Sequence, residues 1–373
     1  MRVLMISLDA SLLSEKPIGD VLARMQTYAD AAGSLTVLVI GSAVRKQVSN
    51  NLLVLGTGGR TKQSRLLRAI SLARTFAKDV DVISAQDPFF SGLIALRARS
   101  SATQPVVIDL HGDFFGVEWK KSNGFKGTLL LWLASYVLKR VRGIRAVNQK
   151  IADDIISRAI TNVVPQIIPV AVDARAFSQC SNDLRTALQD EFGGHPIVLS
   201  VGRIEKQKGI YDLIEAFGLF IKNQKSAQLV VVGSGADEDH VRKTVARAGL
   251  SSAVHFAGVV SPHELACYYH LCDLFVLASH HESFGRVIIE AGAAGKPVIA
   301  TETAGAQLLL KDNHTGYLVP VKNPNMLAKR MEYVWTHQEE ARRSGEALSK
   351  HVMKHFNYSQ SIARLISFWQ SCI

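Results

Sequence analysis

Glu282 and Glu290 stand eight residues apart, and Ser283, Phe284, Gly285 and Arg286 follow the first of them directly. The stretch from Ser279 to Val298 leaves an apolar run, passes Gly285, takes up helical apolar spacing and stops at Gly295-Lys296-Pro297. A helix beginning near Phe284 exposes unpaired backbone N–H groups, and its dipole favours an anion such as a diphosphate. At a rise of about 1.5 Å per residue, the two carboxylates lie roughly 12 Å apart. That distance lets each meet a hydroxyl group on either side of a diphosphate. Two glutamates at this spacing say little alone; the strand–glycine–helix–glycine–proline frame makes them informative.

A second segment carries the complementary charge. Gly202-Arg203-Ile204-Glu205-Lys206-Gln207-Lys208-Gly209 leaves one apolar strand and enters a helix near Ile210. The carboxyl ends of parallel strands are where such sheets take their ligands. Arg203 offers a planar fork for phosphate oxygens and Lys208 a point charge. In isolation these are two surface cations. Beside the Glu282 segment they read as a grip on phosphate.

The elements that must position these groups follow from the apolar pattern. Short apolar runs alternate with longer amphipathic stretches, the rhythm of βαβ units and a parallel sheet. Strands are predicted over 3–8, 35–40, 51–55, 80–84, 106–109 and 143–147, with helices over 19–33 and 63–77. The rhythm restarts with 196–201, 229–232, 254–256, 274–277, 297–300 and 316–319. Two doubly wound halves are expected, joined near 168–173 or in the polar stretch 178–194. No short-period repeat or low-complexity segment interrupts them.

The two charged segments resemble the nucleotide-sugar half of the retaining GT-B glycosyltransferases of family 4 (glycosyl transferases group 1). That family carries a Gly-Arg…Lys-Gly loop and a Glu-x7-Glu motif. Three further stretches share the resemblance, which covers nearly the whole chain: Ile108-Asp109-Leu110-His111-Gly112-Asp113, Asn313-His314-Thr315-Gly316-Tyr317-Leu318-Val319, and Phe356-Asn357-Tyr358-Ser359. It implies an α/β GT-B fold of two Rossmann-like parallel-sheet domains facing a cleft. Residues 1–172 with 357–373 would form the acceptor-side domain, and 173–356 the nucleotide-sugar domain.

Residue roles are implied in the same way. Arg203 and Lys208 would neutralise the leaving diphosphate, and backbone N–H groups at Phe284, Gly285 and Arg286, with Ser283 beside them, would contact phosphate and sugar. Glu282 would hold a sugar hydroxyl, Glu290 the ribose, and His111 would lie against the donor sugar. Gly19 would face the phosphates from the first domain, where the family often has two adjacent glycines and this chain has one. The segment 168–173 stands where an Asn-Gly pair is common, and Asn148 where serine is common. The implied reaction moves a sugar from a nucleotide-diphosphate sugar, UDP favoured over GDP, to a glycan or glycolipid acceptor in cell-surface polysaccharide or glycolipid synthesis. It retains anomeric configuration and needs no metal or other cofactor. Base contacts would come from backbone near 258–264.

Rival readings are weaker. A dinucleotide-binding dehydrogenase needs Gly-x-Gly-x-x-Gly after an early strand, and residues 5–15 contain no glycine. Gly233 and Gly235 offer two of the three glycines mid-chain, followed by acids that repel a pyrophosphate. A GT-B sugar-nucleotide epimerase or hydrolase, or a non-catalytic nucleotide-sugar-binding module, remains as an alternative. Asp79-Val80-Asp81 reads as a strand start and Asp237-Glu238-Asp239 as an acidic helix entrance, not as metal ligands. Adjacent His280 and His281 point to opposite faces of an extended segment and do not readily chelate one ion.

Composition sets the outer bounds. With 47% hydrophobic and 20% charged residues the chain is globular. Its 43 Lys+Arg against 32 Asp+Glu give +11. Residues 1–172 hold 22 basic and 12 acidic residues, whereas 173–373 hold 21 and 20, so the surplus sits on the first half. One cluster is Arg60, Lys62, Arg65, Arg68, Arg74 and Lys78; another runs from 120 to 150 around the apolar stretch 129–138. These are either solvated faces with a buried helix, or a patch for an anionic membrane surface. Nucleic acid is disfavoured because aromatics, 7%, are not interleaved with the charges. The start does not read as a signal peptide, and no apolar run reaches about 18 residues. Cys180, Cys267, Cys272 and Cys372 form no Cys-x-x-Cys pair. They read as reduced cytosolic thiols, with Cys267 and Cys272 packing a core. A cytoplasmic protein, peripheral on the inner face of the membrane, is expected.

Overall fold

A computed structural model describes the chain apart from residues 15–19, 113 and 116 and the side chains of 117–123. The chain forms two compact units, residues 1–171 with 359–373 and residues 172–358.

The first unit is built on β1 (Arg2–Ser7), α1 (Val21–Ala32), β2 (Ser34–Val39), β3 (Arg45–Ser49), β4 (Leu52–Gly56), α2 (Lys62–Ala77) and β5 (Val82–Ala85). It continues through α3 (Phe90–Ala98), β6 (Val106–Leu110), α4 (Val117–Leu138), β7 (Gly143–Ala146), α5 (Gln149–Ser157) and β8 (Gln166–Ile167). The sheet order is β3-β4-β2-β1-β5-β6-β7-β8, and every pairing is parallel except β3 with β4. β1, β5 and β6 are almost wholly buried, as strands covered by helices on both faces must be. β3 was not predicted: its Arg-Lys-Gln-Val-Ser sequence has no apolar face, because it is a sheet edge left partly in water.

The second unit runs through α6 (Asn182–Glu191), β9 (Ile197–Val201), α7 (Ile210–Phe220), β10 (Gln228–Val232), α8 (Glu238–Arg247), β11 (Val254–Gly258) and α9 (Pro262–Leu271). Then follow β12 (Leu274–Leu277), α10 (Arg286–Ala293), β13 (Val298–Thr301), α11 (Ala304–Leu309), β14 (Tyr317–Val319), α12 (Pro324–Thr336) and α13 (Gln338–His355). Its all-parallel sheet has the order β11-β10-β9-β12-β13-β14, which reverses direction between β9 and β12. Val198, Leu229, Val276 and Ile299 pack from the sheet against Leu213, Phe217 and Phe220 of α7 and Met331 of α12. The last helix, α14 (Tyr358–Cys372), belongs to the first unit, where Trp369 is fully buried and meets Tyr28 edge-on at 6.1 Å.

Two sequence expectations change here. The stretch 178–194, one of the two places expected for the junction, is mostly occupied by α6 and lies within the second unit. Nor are all four cysteines free thiols. Cys180 precedes α6, Cys267 lies in α9, and the packing of these helices joins them in a disulfide with Cα atoms 4.9 Å apart. A sequence separation of 87 hid the pair, and the cysteine argument for a reducing compartment falls with it. Cys272 and Cys372 are free and buried.

Candidate active site

In the second unit, the loops leaving the carboxyl ends of β9, β10 and β12 converge at the strand-order reversal. Gly209 closes the first loop with φ +66°, and a Cβ there would sit 1.9 Å from Ala278 O, so only glycine lets this loop lie against the end of β12. Gly233 and Gly235 serve similarly, since added Cβ atoms would fall 2.0 Å from Gly202 O and 2.2 Å from Ile204 O. Their role is close backbone packing, which explains the glycines without a dinucleotide. The Lys206 N–H donates to Asp237 Oδ2 at 2.6 Å, fixing the acidic entrance of α8 to the same loop.

The loop after β12 is fastened on both sides. His280 donates its backbone N–H to Gln207 O at 2.9 Å, and its Nε2 lies 2.8 Å from Asp212 Oδ2. The Glu282 carbonyl accepts from Gly305 N–H at 2.7 Å. These bonds bring Lys208 Nζ to 2.8 Å from Glu282 Oε2, with both side chains mostly buried. Glu282 Oε1 accepts from the Gly285 N–H at 3.2 Å. Gly285, at φ +78°, starts α10 without a side-chain cap, leaving its first turn to the site. Phe284 is buried against Phe356, while Arg286 is partly exposed.

Glu290 is only 6% exposed. The Tyr269 hydroxyl donates to its Oε2 at 2.9 Å, and Arg286 Nη2 lies 3.9 Å from Oε1. Burial, with the Glu290 charge beside it, pushes the Tyr269 phenol well above its usual range, so it remains a donor. Arg203 is exposed and paired with Glu205 at 2.8 Å. The sequence reading missed Glu205, Asp212 and Tyr269 as partners of these groups.

The first unit carries a different constellation. His111 follows β6, and its Nε2 lies 2.9 Å from Oε1 of Gln86, which follows β5. Gln86 Nε2 donates to Asp109 Oδ2 at 2.7 Å, and the Ser84 hydroxyl donates to the same oxygen at 2.8 Å. Parallel pairing of β6 and β7 sets Asp109 directly opposite Arg145, and Arg145 Nη1 lies 3.5 Å from Asp109 Oδ1. Arg145 is buried, and its guanidinium also donates to Ile168 O and Pro169 O, both at 2.9 Å. Burial pushes Asp109 upward and Arg145 opposes that push. Burial, then the positive charges of Arg145 and Arg24, drive the His111 imidazole down to about 3, so it is neutral at neutral pH. Asp109 stood in the quoted motif without a role, while Ser84, Gln86 and Arg145 were missed. One charge in each of two adjacent apolar strand runs was the available signal. Gly19 lies outside the described residues.

Among the described residues, no helix is long and apolar enough to cross a membrane. The basic residues of α2 are exposed, whereas Arg145, counted in the second basic cluster, is internal. On α4, beyond a break in helical geometry at Gly124, Phe125, Leu129 and Trp132 are 88%, 63% and 67% exposed. Lys126 is exposed among them, and Lys139 and Arg140 are exposed just after the helix.

Family models match both units. The model of glycosyl transferases group 1 matches residues 187–351, and that of the glycosyl transferase 4-like domain matches 25–171. The chain is 25% identical over 258 residues to the alpha-monoglucosyldiacylglycerol synthase of Streptococcus pneumoniae, covering 67% of this chain and 58% of the relative. Over 289 residues it is 27% identical to the GDP-mannose-dependent alpha-(1-6)-phosphatidylinositol monomannoside mannosyltransferase of Mycobacterium tuberculosis, covering 74% of this chain and 72% of the relative. The chain spans about half the length of most of the curated relatives it matches. Among solved structures, Anabaena HepE in complex with UDP and glucose superposes with a TM-score of 0.82, 19% identity and full coverage of both chains. The sucrose-phosphate synthase of Thermosynechococcus elongatus does so with a TM-score of 0.86, 20% identity and coverage of 100% of this chain and 98% of that one.

Proposed function

The chain belongs to the group 1 glycosyltransferases and has their GT-B fold. From that premise we propose that it transfers a sugar from a nucleotide-diphosphate sugar to a lipid-linked or glycan acceptor, with retention at the anomeric carbon. The observation that carries this is the Lys208–Glu282 contact beside the uncapped start of α10. A carboxylate for a sugar hydroxyl and a cation for a phosphate stand side by side there.

The mechanism asks little covalent chemistry of the protein. The bond between the anomeric carbon and the diphosphate oxygen breaks, and the acceptor oxygen forms its bond on the same face while passing its proton to the departing phosphate. Lys208, Arg203 and the N–H groups opening α10 stabilise the charge gathering on that phosphate, the role a metal plays elsewhere. Glu282 orients the sugar, and Glu290, held by Tyr269, meets the ribose. We propose UDP ahead of GDP as carrier; HepE, in complex with UDP and glucose, supports this reading, whereas the mycobacterial relative is GDP-mannose-dependent. Two relatives, named as a monoglucosyldiacylglycerol synthase and a phosphatidylinositol monomannoside mannosyltransferase, support a lipid acceptor. The exposed apolar and basic residues of α4, with the basic face of α2, support its collection from an anionic membrane.

A single assay tests these points. Labelled UDP- and GDP-sugars are incubated, with EDTA present, with vesicles of anionic or zwitterionic diacylglycerol-containing lipid. Label should enter the lipid phase with the donor's anomeric configuration, and anionic vesicles should give the faster, more salt-sensitive rate. Release of free sugar alone would favour a hydrolase, and binding without turnover a non-catalytic module.

A further inference from the structure

We propose that Gln86 is a positioning residue that holds His111 as the Nε2–H tautomer, reserving the Nδ1 lone pair for a hydroxyl group of the ligand. Arg145 is anchored to Ile168 O and Pro169 O, and β-sheet register sets it opposite Asp109. The guanidinium faces Oδ1 and opposes, without cancelling, the upward push of burial on the Asp109 carboxyl. Asp109 Oδ2 is the acceptor in both of its hydrogen bonds, from the Ser84 hydroxyl and from an N–H of Gln86. The Gln86 amide is therefore oriented with its oxygen toward His111. An amide oxygen also only accepts, so the ring nitrogen 2.9 Å away must carry a proton.

A neutral imidazole protonated at Nε2 has none on Nδ1. No hydrogen bond to Nδ1 occurs among the described residues. This nitrogen suits a donor, such as a sugar hydroxyl, and repels a phosphate oxygen. Without a proton on Nδ1, His111 cannot serve there as a general acid. That the hydroxyl belongs to a sugar rests on the proposed transferase function; the tautomer does not.

Histidine-selective ¹⁵N labelling and long-range ¹H–¹⁵N correlation spectra read the tautomer directly. His111→Asn assigns the ring signals by their disappearance. The wild-type ring should show a protonated Nε2 and a bare Nδ1. Gln86→Leu, which keeps bulk but removes both bonds, should give a mixture of tautomers. It should also lower kcat by about 10- to 100-fold with little change in KM, as loss of an orienting partner does, and lower the melting temperature because buried Asp109 loses a donor. A wild-type Nδ1–H ring, or an unchanged tautomer in Gln86→Leu, overturns the proposal. Should Gln86→Leu fail to fold, the wild-type spectrum alone still decides. A correct tautomer in a protein that transfers no sugar from any donor would count against the transferase reading instead.

Discussion

His111 follows β6, whose side chains are buried, and burial, with the positive charges of Arg145 and Arg24, keeps it neutral. That has a measurable consequence for stability. Its ordinary value near 6.5 applies to the unfolded chain, while the folded value is about 3. Between those values the unfolded state binds the extra proton and the native state does not, so stability falls as pH drops through this window. By pH 5 the loss relative to neutral pH is about 2 kcal/mol from this group. Urea melts of wild type and His111→Asn at pH 7.5 and 5 measure it: the variant should lose less stability on acidification. Equal losses would mean that His111 already titrates normally when folded. At this scale the sequence offered candidate residues but not their partners. Lys208 and Glu282 could be paired by motif, whereas Gln86 reaches His111 only because β5 and β6 are neighbours in the sheet.

Elements turn these residues into a site through backbone approach. The loop after β9 reaches Ala278 only at Gly209, where positive φ and the 1.9 Å clearance of a would-be Cβ both exclude other residues. Gly249 provides an internal control, with φ +70° and nothing within 4 Å of the added Cβ. Gly249→Ala should cost about 1–2 kcal/mol, the left-handed backbone penalty alone. Gly209→Ala adds the collision with Ala278 and should cost clearly more, while also displacing Lys208. Equal losses of stability in the two variants would show that the loop relaxes freely and does not set the Lys208–Glu282 distance. Apolar periodicity made most elements legible, since the buried strands of both sheets are short runs of branched side chains. It did not reveal β3 or the two-residue β8, which are edge strands with little buried surface. Nor did it show that α6 and α9 meet through Cys180 and Cys267, since pairing across 87 residues leaves no local pattern.

Across the whole molecule, the surplus of +11 divides by unit. The first unit's half of the chain carries nearly all of it, and the described basic residues of α2 and the end of α4 face solvent. The donor binding proposed for the second unit would therefore depend on a few placed cations and not on bulk charge. Arg203 is exposed and paired with Glu205, so Lys208, held against Glu282, bears most directly on the proposal that this turn binds a diphosphate. Calorimetric titration of UDP, GDP and ADP into wild type and Lys208→Met tests it most directly. At least one of the three should bind wild type, UDP foremost. Lys208→Met should bind that nucleotide about 10- to 100-fold more weakly, the worth of a charge-assisted hydrogen bond. Undiminished affinity in Lys208→Met, or no nucleoside diphosphate binding by the wild type, would contradict it.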